Sequence, residues 1–124
     1  MKLRLRKNSI RLRLTKGELV LFNNSGVVEE YLDFGEGIRF FYRMVSENNA
    51  VQTAARLEAA GITVVVPSSE AQAWAATEQI GISAEQAIPD GLLNILIEKD
   101  FTCLEPRASG EDDDTFPNPS GCGE

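Results

Sequence analysis

Four arginines alternate with apolar residues near the start of the chain: Arg4 and Arg6 in one stretch, Arg11 and Arg13 in the next. A guanidinium stays charged at any accessible pH, and its planar fork matches carboxylate and phosphate oxygens. If the two stretches pair as strands, the four side chains gather on one face. Like charges directly opposite one another destabilise a sheet, so the fold must supply carboxylates or take an anion there. The plainer outcome is a solvated face neutralised by internal acids such as Glu29, Glu30, Glu98 or Asp100. Glu98, Lys99 and Asp100 also read as an acid–base cluster. Alternation places Glu98 and Asp100 on one side and Lys99 on the other, and only a cleft that separated their pKa values would make the carboxylates catalytic. Neutralisation of nearby arginines is the expected use of these charges, and no catalytic residue is assigned.

The chain has no histidine and two cysteines, Cys103 and Cys122. Serine–histidine and cysteine–histidine nucleophile systems are therefore excluded within one chain, as is a standard four-ligand zinc site. Cys103 reads as a small buried hydrophobe and Cys122, between two glycines, as an exposed thiol. A disulfide between them is disfavoured in a reducing compartment, and their spacing to the acidic residues matches no standard metal site. No metal and no cofactor is expected.

Charge is unevenly distributed. The 124 residues carry a net −7, from 12 basic and 19 acidic side chains. Seven of the basic residues lie in positions 1–16 with no acid among them, leaving five against 19 over the rest, a net of −14. Long-range repulsion makes such a protein a poor non-specific nucleic-acid binder. No apolar run is long enough to span a bilayer, and the opening lacks the continuous apolar stretch of a signal peptide. The expected address is cytoplasmic, with no membrane partner.

These residues need elements to hold them. Lys2–Arg6 and Ile10–Leu14 alternate as half-buried strands, with their parity changing across Lys7-Asn8-Ser9, a hairpin turn. Thr15 and Glu18 have capping-box spacing for a short helix ended by Asn23-Asn24-Ser25-Gly26. Val27–Phe34 and Ile38–Val45 form a hairpin around Gly35-Glu36-Gly37. Residues 50–60 are ambiguous: Ala54–Ala60 has helix propensity, yet Val51, Thr53, Ala55 and Leu57 alternate as a strand returning into Ile62–Val66. A second helix starts at Ser68 and carries Ala71, Trp74 and Ala75 on one face. A weak strand spans Ile80–Ile88, and Leu92–Ile97, apolar on both faces apart from Asn94, reads as a central strand. No internal repeat is visible. The class is α+β: a mainly antiparallel sheet built from hairpins with two short helices, one domain over residues 1–105, then a disordered acidic tail over 106–124.

The tail offers an internal partner for the arginines. Glu111, Asp112, Asp113 and Asp114 would act as a pseudo-ligand, with Phe116 as an apolar anchor and Pro117 and Pro119 as stiffeners; the plainer alternative is a free solubilising tail.

The stretches Met1–Thr15, Ile62–Pro67 with Trp74, Leu96–Leu104, and the acidic run followed by Phe116-Pro117-Asn118-Pro119 and Cys122 together resemble a family of short bacterial proteins of unknown function. The resemblance implies a bacterial, cytoplasmic protein and no established activity. It also implies a strand before Ile62, which selects the hairpin for residues 50–60. Three roles remain open: a small non-enzymatic binding module for an anionic partner or its own tail, an enzyme or enzyme subunit acting on a small anionic substrate, and a structural or assembly subunit. A pocket joining the arginines to Glu98 or Asp100 favours the enzyme, and an exposed apolar patch favours assembly.

Overall fold

The computed structural model describes residues 1–101. The two alternating stretches become β1 (Lys2–Arg6) and β2 (Ser9–Leu14), an antiparallel hairpin whose turn holds Lys7 at φ +49°. The turn restores parity, so Lys2 lies opposite Arg13 and Arg4 opposite Arg11. Helix α1 (Lys16–Ser25) opens with the capping box: the Glu18 amide donates to Thr15 Oγ1 at 3.3 Å and the Thr15 amide to Glu18 Oε1 at 2.8 Å. It closes on Gly26, whose φ of +81° suits a residue without Cβ. Strands β3 (Val27–Asp33) and β4 (Arg39–Glu47) follow, joined through the left-handed run Gly35-Glu36-Gly37. Then come β5 (Ala54–Glu58), β6 (Gly61–Pro67), α2 (Ser68–Ala76), β7 (Gly81–Ile88) and β8 (Gly91–Lys99).

The strands form two four-stranded sheets, ordered β1-β2-β8-β7 and β3-β4-β6-β5. Every hairpin is antiparallel, as expected. The middle pair of each sheet, β2–β8 and β4–β6, is parallel, because each sheet is completed by a hairpin from the other half of the chain. The connectivity is thus two ββαββ units, each sending its two hairpins into different sheets. This is a repeat of structure that the sequence barely signals. Its traces are buried residues at a 52-residue offset: Ile10, Leu12, Leu14 and Phe22 in one unit against Ile62, Val64, Val66 and Trp74 in the other. Phe22 and Trp74 meet edge to face, with centroids 6.4 Å apart.

The core lies between the sheets and beneath the helices. Register aligns Leu3, Leu12, Ile97 and Ile82 across the first sheet and Ala55, Val64, Met44 and Val28 across the second. These rows, with Phe22, Ala71 and Trp74, belong to one apolar cluster. Side chains stitch the sheet edges together. Gln86 of β7 accepts from the Ala55 amide at 2.7 Å and donates to its carbonyl at 3.1 Å. At the opposite edge the Met1 α-amino group pairs with Glu18 and Glu30, and Tyr42 Oη donates to the Met1 carbonyl at 3.1 Å.

Residues 54–58 are a strand despite their alanines. An isolated five-residue helix has no stability in water, whereas this segment pairs along its whole length with β6. Strand β8 is central, between β2 and β7, but is not buried on both faces: Ile95 and Ile97 face the core while Leu92 is exposed. The tail assignments, Cys103 and Cys122 included, lie outside the described residues.

Candidate anion-binding face

With Leu12, Ile95 and Ile97 turned inward, period-two alternation sends Lys2, Arg4 and Arg6 of β1 and Arg11 and Arg13 of β2 to the outer face of the first sheet. Three registered rows result: Lys2, Arg13, Glu98, Gly81; Arg4, Arg11, Leu96, Ser83; and Arg6, Ser9, Asn94, Glu85. The sequence-predicted arginines are therefore brought together, Arg4 directly across from Arg11 and Arg6 one row further on.

Glu98 sits at the centre of the charge balance. Its Oε1 accepts from Arg11 Nε at 2.7 Å and from Arg13 Nε at 3.2 Å. Burial by itself would raise the Glu98 pKa; the hydrogen bonds and charges of Arg11 and Arg13 outweigh it and hold the carboxyl below its ordinary value. Both arginines are gripped through Nε, so among the described residues their Nη forks meet no acceptor. Lys2 pairs with Asp100 at 3.5 Å. Among the described residues Arg4 and Arg6 have neither a carboxylate nor a hydrogen-bond acceptor. Glu29 and Glu30, the other acids considered as neutralisers, belong to the second sheet: Glu29 pairs with Arg43 and Glu30 with the Met1 amino group.

A hollow of about 480 Å³ follows β1, lined by Met1, Lys2, Leu3, Arg4, Arg11, Arg13 and Tyr42. A second, of about 530 Å³, lies over β2, β8 and β7 and includes Arg11, Ser9, Ser83, Asn94, Leu96 and Glu85. Arg11 lines both. Sequence reasoning missed the contributions of Lys2, Tyr42, Ser83, Asn94 and Glu85. Lys2 shares the parity of Arg4 and was open to the same argument; the others reach this face only through strand pairing or approach from the second sheet.

The outer face of the second sheet is built differently. Arg43 donates through Nε to Thr63 Oγ1 at 3.0 Å, through Nη1 to Glu29 at 2.9 Å, and lies 3.5 Å from Glu58, its guanidinium 4.1 Å above the Phe41 ring. One arginine there has two carboxylates, whereas on the first sheet two arginines share one. Elsewhere Leu32, Phe34 and Ile38 are exposed around the β3–β4 turn. Among the described residues no group of three or more Asp, Glu, His or Cys side chains forms a metal cage, and no helix is long and apolar enough to cross a membrane.

By fold the protein is an α+β protein of two mostly antiparallel sheets with one strongly cationic sheet face. The chain belongs to a family of unknown function, DUF7009, whose model matches residues 1–120. No curated protein and no solved structure matches it.

Proposed function

We propose that the protein is a small non-enzymatic binding module that takes an anionic ligand on the outer face of the first sheet. One observation carries the reading: Lys2, Arg4, Arg11 and Arg13 line a single hollow, and Arg11 and Arg13 share one carboxylate that holds only their Nε atoms. Such forks suit bidentate recognition of phosphate or carboxylate. The balanced ion pairs of the second sheet serve as an internal comparison, since a sheet face of this fold can be neutralised by its own residues. Glu98, the carboxylate among the arginines, is committed to orienting them, which favours binding over acid–base chemistry.

The test is thermal unfolding of the full-length protein with phosphate, carboxylate metabolites, nucleotides and divalent metals. A ligand that binds the native state at a hundred times its Kd stabilises it by about 2.7 kcal/mol. An anion-selective rise in Tm that disappears in Arg4→Ala and Arg11→Ala is expected. If no anion raises the Tm of the unmodified protein, the proposal is wrong.

A second reading, an assembly subunit, draws on Leu32, Phe34 and Ile38, exposed by 50%, 69% and 61%. Sedimentation of the unmodified protein against Phe34→Glu tests self-association through that hairpin. A monomer at all concentrations would dismiss it.

A further inference from the structure

Resting on that reading, we infer that the ligand is a phosphorylated sugar, its phosphate on the arginines and its hydroxylated body lying across β8 towards Glu85. Both hollows border Arg11, and side by side they make a furrow, divided at Arg11, across the sheet from β1 to β7. Its chemistry changes along its length. Over β1 and β2 it is cationic. Beyond Arg11 it becomes a neutral patch of Ser9, Ser83 and Asn94 around the half-buried Leu96. At β7 it ends on the carboxylate of Glu85, paired in register with Asn94.

This gradient selects among anions. A polyphosphate or nucleic-acid strand long enough to follow the furrow would bring negative charge against Glu85, where like charges repel. A ligand with one anionic end and a neutral, hydrogen-bonding remainder meets no such penalty. Asn94 both donates and accepts, Ser83 does likewise, and Glu85 accepts only; these are the partners that hydroxyl groups use. Among the described residues the side chains of Ser83, Glu85 and Asn94 have no hydrogen-bond partner, so binding would not require breaking one. Leu96 supplies an apolar floor for the carbon face of a sugar ring. Strands stand about 4.8 Å apart, so β2 and β7, two spacings apart, are separated by roughly 10 Å, the reach of one monosaccharide and its phosphate. On the outer face of the second sheet, by contrast, Arg43 meets acids of its own sheet, Glu29 and Glu58.

Calorimetric titration of the full-length protein with inorganic phosphate, tripolyphosphate, unphosphorylated ribose and glucose, and a panel of pentose and hexose phosphates tests the inference. At least one sugar phosphate should bind tenfold or more tightly than inorganic phosphate, with tripolyphosphate gaining no such advantage and the free sugars weaker than either. Asn94→Ala and Ser83→Ala, both exposed, should erase the advantage while leaving inorganic phosphate binding unchanged. Arg11→Ala should weaken every anion. Phosphate binding without any gain from the sugar, or tripolyphosphate binding most tightly, would overturn the ligand class while leaving the anion site standing. No anion binding at all would overturn both.

Discussion

Replacing Glu98 by glutamine removes the charge that organises the arginine face while nearly keeping its shape. The carboxylate accepts two charge-assisted hydrogen bonds, at 2.7 and 3.2 Å, from side chains that are 29% and 27% exposed, and is itself 19% exposed. In a dry interior each such bond contributes roughly 1.5–3 kcal/mol, but solvent reduces the value for partly exposed pairs towards the surface range of about 0–1. Glutamine keeps one acceptor oxygen, so Glu98→Gln should cost about 1–2 kcal/mol at pH 7, a fall in Tm of roughly 3–8 °C. The difference must depend on pH in a fixed direction. The folded protein holds Glu98 below its ordinary value, so the unfolded chain binds more protons and this stabilisation is lost as pH falls through the folded pKa. The gap between the unmodified protein and the variant should be full above about pH 5 and close progressively on acidification. Urea unfolding of both proteins from pH 7 down to pH 3 measures it. The same change removes a negative charge roughly 6–7 Å from an anion on the guanidinium forks, worth about 1.3 kcal/mol at an effective dielectric near 40, so phosphate should bind roughly ninefold more tightly. Equal stability at pH 7 or a gap that widens on acidification would refute the assigned role of Glu98.

Further perturbations probe the scaffold. Trp74, fully buried and donating through Nε1 to the Ile80 carbonyl at 3.1 Å, should cost about 3–5 kcal/mol as Trp74→Ala, measured by urea unfolding monitored by circular dichroism. Gly61→Ala would place Cβ 2.1 Å from the Phe41 carbonyl oxygen at the parallel β4–β6 junction, so the variant should lose more than about 3 kcal/mol or fail to give a cooperative thermal transition. Gly17→Ala, inside α1 with nothing within 4 Å, should instead raise stability by about 0.5–1 kcal/mol. Thr15→Ala removes one arm of the capping box and should cost about 0.5–2 kcal/mol by the same assay.

Much of the local structure was legible in the chain itself. Period-two alternation marked β1, β2 and β4; capping-box spacing set the start of α1; glycines placed the turns at 26 and 35–37; and the i, i+3 spacing of Ala71 and Trp74 gave the buried face of α2. These are short-range signals, readable because backbone geometry ties a residue to its near neighbours. Alternation likewise put the four arginines on one face of a hairpin. What the chain could not announce was which hairpins share a sheet. The parallel pairings of β2 with β8 and β4 with β6 join residues more than 80 and about 20 positions apart, and follow from burying apolar faces together rather than from a local motif. Those pairings decide the site. Glu98 is one acid among many until β8 lies beside β2, and Glu29 and Glu30 are equally placed candidates until β3 joins the other sheet. The segment Ala54–Glu58 shows the same priority of context, since pairing with β6 outweighs the helix propensity of its alanines. The duplicated ββαββ units emerge last, because a buried position constrains size and polarity more than identity: Trp74 fills the place of Phe22, and valines those of leucines.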